Sequence, residues 1–246
     1  MRAWAALLKK DFKLTRTIFF VGLVINLLFV MLTMYVGKIA DNTLLMFIPL
    51  GVAIVFHIFY IPMMVFISLK TEANQLHLWL HNPQPASRLL LSKIVNGLIM
   101  VIISLLMLYV MSGLLIEPKS SFIEPYWADI WTSGLLIFPH IIILSAMIGV
   151  CVLFLWSLFQ FYKFRIGRWS WLVVIGAIVI PNWVTSLFES TSLYRLGTNW
   201  GGITYNFPSF SIAPIQIYTG EYLYNFVIII GLFILTAWII DNKVEV

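Results

Sequence analysis

Six apolar stretches of this chain contain no Asp, Glu, Lys or Arg: 18–36, 44–69, 94–116, 130–160, 170–188 and 222–240. A helix needs about 20 apolar residues to cross the hydrocarbon core of a bilayer, so each stretch is long enough, or nearly so, for one crossing. Only 10% of the residues are charged, against about 25% in a soluble domain, and 61% are hydrophobic. The expected fold class is therefore an all-α membrane protein with six transmembrane helices. The fourth stretch exceeds one perpendicular crossing and carries Pro139 in its first third, which predicts a break there or an end protruding from the bilayer. The first stretch is a full span with no small-residue cleavage pattern after it, so the N-terminus does not read as a cleavable signal peptide.

Charge placement orients the spans. With the N-terminus inside, twelve of the fifteen basic residues fall in inner segments, and only Lys38, Lys119 and Arg195 lie outside. Acidic residues lean outward: Asp41, Glu117, Glu124, Asp129, Glu189 and Glu221. Basic enrichment marks the cytoplasmic side, so both termini are expected in the cytoplasm. The net charge of +5 thereby finds its reason in topology, and no nucleic-acid partner is called for. The single cysteine, Cys151, rules out an intramolecular disulfide.

Two cytoplasmic segments carry more pattern than a linker requires. Residues 1–17, MRAWAALLKKDFKLTRT, wound as a helix place Trp4, Leu7, Leu8 and Leu14 on one arc and Arg2, Lys9, Lys13 and Arg16 opposite, the signature of a helix lying along the membrane surface. The plainer alternative is a basic flank that fixes topology. Asp11 falls inside the apolar arc next to Phe12 and needs a protein neighbour or a basic side chain one turn away. Residues 70–93, KTEANQLHLWLHNPQPASRLLLSK, form the one long charged interruption of the apolar first half. Within it Leu76, His77, Leu78, Trp79, Leu80 and His81 predict a short helix, with Leu76, Trp79 and Leu80 on one face. Pro83 and Pro85 break that helix, and Ser87 is placed to cap a second one running through Arg88 and Lys93 into the third apolar stretch. We read the whole as a docking lever for a cytosolic partner, against the alternative that its apolar residues lie on lipid headgroups.

Several chemistries find no residues to carry them. No charged group lies within the six stretches, whereas transporters driven by protons or sodium need an ionisable group in the membrane. There is no phosphate-binding loop of the G-x-x-x-x-G-K-[ST] type. His57 and His140 read as neutral imidazoles bonded to neighbouring helices and Asn26 as helix-to-helix glue, rather than as haem ligands or a path lining. No metal, cofactor or catalytic set is indicated.

The N-terminal phrase LLKKDFKLTR, the two spans after it, the loop phrase LWLHNPQPASRLLLSKIV and the four further spans together resemble a type-2 ABC transporter permease. That resemblance implies that Trp4 to Arg16 form the connecting helix. It makes Leu76 to Arg88 the coupling surface for a separate ATP-binding subunit, and Gly197 to Gly220, within the outer loop 189–221, a re-entrant region of short helices. It further implies a second permease copy or paralogue, ATP and Mg bound only by the partner subunit, and no enzymatic activity in this chain. The location would be a bacterial cell membrane. The charge-free, aromatic-rich spans suit export of an amphipathic peptide, such as a toxin or antimicrobial, or a lipid-like molecule. The competing function is a non-transporting sensor or immunity protein that captures hydrophobic peptides in the bilayer.

Overall fold

The computed structural model describes residues 2–39, 43–73, 84–115, 127–205 and 214–243. Helix α1 runs Arg2–Ile39. A 3-10 turn, Thr43–Met46, leads into α2, Phe47–Phe56; a second, His57–Phe59, separates it from α3, Tyr60–Ala73. Then come α4, Ala86–Leu115, and α5, Trp127–Ile166, followed by a 3-10 turn, Gly167–Trp169, and α6, Ser170–Glu189. A short α7, Ser192–Thr198, strands β1, Gly202–Tyr205, and β2, Ile215–Tyr218, and the closing helix α8, Thr219–Lys243, complete the order.

The chain is an α-helical membrane protein. Five stretches are long and apolar enough to cross a membrane, and one of them, Ala128–Glu189, is 62 residues long and contains both α5 and α6. Gly167 divides it. Its φ of 58° is the left-handed conformation that closes a helix C-terminus and that only glycine adopts at little cost. The exposed side chains of α6 include Trp171, Leu172, Ile175, Val179, Trp183 and Leu187, while only Ser170 and Val174 are buried. Such a surface is untenable in water and natural against lipid or another membrane helix.

The chain divides into two compact units, the first Met1–Trp79 with Arg88–Gly149 and the second Leu80–Ser87 with Val150–Val246. In the first, α1 presents a stripe of Leu7, Asp11, Thr15, Phe19, Asn26, Val30 and Thr33 to the interior, the three-to-four spacing of one helix face. Phe19 packs on Met64 and Met100, and Val30 packs on Met46, Leu50, Ala53 and Leu108. Close approach of helices depends on small residues. Ile61 is fully buried on α3, and a β-carbon on Gly97 or Gly149 would come within 3.1 or 2.7 Å of its Cγ2. The 3-10 turn at His57–Phe59 lies one turn before Pro62, whose missing N–H leaves the Ile58 carbonyl without its helical partner. At the same point the Ile61 amide donates outside its helix, to Ser145 Oγ at 3.1 Å.

In the second unit, Thr191 caps α7 by accepting from the Tyr194 amide, 3.3 Å. β1 and β2 pair antiparallel in the register Gly202 with Tyr218 through Tyr205 with Ile215. Thr219 Oγ1 donates to the Gly201 carbonyl at 2.9 Å and Trp200 Nε1 to the Gly197 carbonyl at 2.9 Å, which ties the hairpin's base to α7.

Two expectations need correction and a third is narrowed. Residues 2–17 do not form a separate surface helix, because they continue into the first span as one 38-residue helix. At about 1.5 Å per residue that helix is about 57 Å long, well beyond a hydrocarbon core of about 30 Å. Of the two outcomes expected for the fourth stretch, a break at Pro139 does not form: α5 runs through it as one 40-residue helix, longer than one perpendicular crossing; His140 Nδ1 meets the Leu136 carbonyl at 2.6 Å beside the proline. Finally, the Gly197–Gly220 region holds the end of a short helix and a β-hairpin rather than short helices alone. The outer edges of a two-stranded ribbon expose backbone groups that need water or protein partners, which lipid tails do not supply.

Candidate functional site

Where α1, α3 and α4 converge, the first unit buries a cluster of ions. Asp11 on α1 and Lys93 on α4 have side chains 0% and 1% exposed, with Lys93 Nζ 3.0 Å from Asp11 Oδ1. Lys93 also donates to Ser68 Oγ at 2.7 Å. The other oxygen of Asp11 accepts from Ser92 Oγ. Glu72, in the last turn of α3, stands with Oε2 2.7 Å from Lys93 Nζ but without hydrogen-bond geometry, so that contact is electrostatic. Its Oε1 accepts from Lys10 Nζ at 2.5 Å, the one member of the cluster that reaches solvent. Below Asp11, Thr15 Oγ1 donates to the Asp11 carbonyl at 2.9 Å and accepts from Asn96 Nδ2 at 3.0 Å. Two ammonium groups thus face two carboxylates. Burying ions is costly, and the cost is recovered only where pairing and added hydrogen bonds are both good. The hydroxyls of Ser68 and Ser92 supply those bonds here.

Deeper in the same unit, His57 joins α1 to α4. Its Nδ1 lies 2.7 Å from the Ala53 carbonyl, which can only accept, so Nδ1 carries the proton. Nε2 then accepts from Ser104 Oγ at 3.0 Å, and Asn26 Nδ2 donates to Ser104 Oγ at 2.9 Å. Tyr60 stacks on the imidazole, with centroids 5.6 Å apart and planes 7° from parallel. His57 and Asn26 therefore serve as bonded links between helices. Polar links of this kind in membranes are worth about 0.6 kcal/mol on average, up to about 1.7. Asn26→Leu is expected to lower the detergent melting temperature by a few degrees while leaving the oligomeric state unchanged, as read by size-exclusion chromatography. An Asn26→Leu protein that fails to fold would show that the triad carries more than a link.

The residues singled out from the sequence are placed unevenly. Leu76, His77, Leu78, Trp79, Leu80, His81 and Pro83 lie outside the described residues. Pro85 is exposed and Arg88 is exposed on the first turn of α4. Ser87 is not the cap: α4 begins at Ala86, whose amide donates to Asp241 Oδ1 at 3.0 Å. A carboxylate at a helix N-terminus satisfies an orphan amide and meets the positive end of the dipole. On α1, Leu7 and Asp11 are buried, Trp4 and Leu8 half-buried, and Phe12 is 43% exposed. Phe12 thus points away from the cluster. Asp11 finds its cation on a different helix rather than one turn away. Glu72, Lys93, Ser68 and Ser92 were missed as site residues. The signal was faint: two charges at the ends of the 70–93 segment, each within three residues of an apolar stretch.

In the second unit the rings of Phe188, Tyr194 and Tyr224 meet. Tyr194 stands edge-on to the other two at 5.8 and 5.3 Å, and Phe188 and Tyr224 stack at 6.3 Å. No family model matches this chain, and no curated protein or solved structure matches it either.

Proposed function

We propose that this chain is the membrane-spanning subunit of an ATP-driven exporter of amphipathic molecules. It crosses the membrane six times, with both termini in the cytoplasm, and Leu76 to Arg88 dock on a separate ATP-binding subunit that holds ATP and Mg. One observation carries the reading. The end of α3 and the start of α4, which flank this segment in the chain, are both tied to α1 through the Glu72–Lys93–Asp11 cluster. A load on this segment is therefore shared among three helices instead of being absorbed by a slack loop. The bare apolar faces of α1 and α6 suit a second membrane subunit as well as lipid.

Trp79 is the expected anchor of the docking surface, since buried aromatics commonly contribute about 2 kcal/mol or more at an interface. Trp79→Ala is expected to weaken copurification of the ATP-binding subunit by about tenfold or more and to abolish ATP-dependent transport in vesicles, with insertion and expression unchanged. A parent chain that brings down no ATPase from its native membrane, or transport that stops when ion gradients alone are collapsed, would overturn the exporter reading in favour of a sensor or a gradient-driven carrier.

A further inference from the structure

The end of α6, helix α7 and the start of α8 enclose an open groove of about 260 Å³, lined by Phe188, Tyr194, Thr198, Leu223, Tyr224 and Val227 among others. Its volume falls below the roughly 300 Å³ at which pockets begin to engulf whole small molecules, so it suits one or two side chains of a longer ligand. Its walls are apolar at Leu223 and Val227 and aromatic at Phe188, Tyr194 and Tyr224. Two carboxylates adjoin lining residues along the chain: Glu189 follows Phe188, and Glu221 follows Gly220. Both carboxylates act on the groove, since the Tyr194 phenol is pushed above its ordinary range by burial first, then by Glu189 and Glu221. Among the described residues neither carboxylate forms an ion pair. The nearby cation, Arg195, turns Nη2 to the Ser190 carbonyl at 3.3 Å.

We propose that this groove receives a cationic residue of an amphipathic peptide, its ammonium or guanidinium held against the tyrosine faces between Glu189 and Glu221 and its apolar neighbours laid on Leu223 and Val227. A ring face attracts a cation through its quadrupole, and carboxylates beside an apolar cleft raise the local concentration of cations. An uncharged lipid-like ligand would gain nothing from those carboxylates. The inference deepens the exporter reading by naming its substrate class, and it takes the outward orientation from the six-span topology.

The test needs no ATPase, so it fails or succeeds independently of the exporter reading. The chain in zwitterionic-lipid nanodiscs is titrated into a fluorescently labelled synthetic helix of Leu and Lys, and anisotropy is corrected with empty discs. Saturable binding by the parent is expected, about tenfold weaker in Glu189→Gln/Glu221→Gln and weakened likewise by Tyr224→Leu. The same helix with Gln in place of Lys is expected to lose at least tenfold in affinity. Circular dichroism and size exclusion check that the variants fold, and the single change at the exposed Glu189 stands in if the double variant does not. Absence of saturable parent binding, equal binding of the Gln helix, or a folded carboxylate variant that binds like the parent would each overturn the proposal.

Discussion

Lys93→Met is expected to be the most damaging single substitution in the first unit. It removes the cation from a site where Asp11 is fully buried and Glu72 is nearly so, leaving two carboxylates facing each other beside Ser68 and Ser92. Breaking a buried pair in this way costs about 3–5 kcal/mol, which is two to three or more factors of ten in the folded population. The measurement is the fraction of monodisperse protein left after detergent extraction and stepwise heating. The companion variant separates charge from packing. Replacing Asp11, Glu72 and Lys93 together with Leu, Leu and Met removes the three ions held away from solvent and leaves only Lys10, which reaches water, and apolar replacement of a buried network is often neutral or stabilising. The triple variant should therefore recover most of the stability that Lys93→Met loses. If Lys93→Met melts like the parent, the cluster is hydrated and the helices are held by their apolar contacts alone.

Gly220→Ala should undock α7 from α8. A β-carbon at Gly220 would stand 2.2 Å from the Thr198 carbonyl oxygen and 2.7 Å from Trp200 Nε1. The first of these is backbone, so no side-chain rotation relieves it. Overpacking of this kind costs about 1–3 kcal/mol, and the cheapest relief is to part α7 from the start of α8, breaking the Gly220 to Trp200 contact. Trypsin cleavage at Arg195 reports the opening, and a rise of about tenfold corresponds to about 1.4 kcal/mol when opening limits access. Gly231→Ala, on the same helix, is the control. Nothing lies within 4 Å of its added carbon, and alanine in a helix interior gains up to about 1 kcal/mol over glycine. Matching cleavage rates for the two variants would mean that α7 does not rest on Gly220.

The sequence by itself determined which segments are helical and apolar. An uncharged run of about 20 residues can satisfy its backbone in lipid only as a helix, and every described residue of the six runs from 18–36 to 222–240 falls within helix or the short turns between helices. His57 and Asn26 were legible as bonded polar groups for the same reason, because an unpaired polar atom in that setting is too costly to keep. The paired partner of Asp11 was not legible. Amphipathic periodicity tells which residues share a face, and it predicted a surface helix over residues 1–17. It does not tell what covers that face, and here the cover is Ser68, Ser92 and Lys93 from two other helices. The cap of α4 followed the same rule: local spacing pointed to Ser87, while the amide of Ala86 is met by Asp241, 155 positions away. Only the tertiary structure decided these matters, because whether a charge is buried, and what satisfies it, depends on which helices meet rather than on any neighbour along the chain.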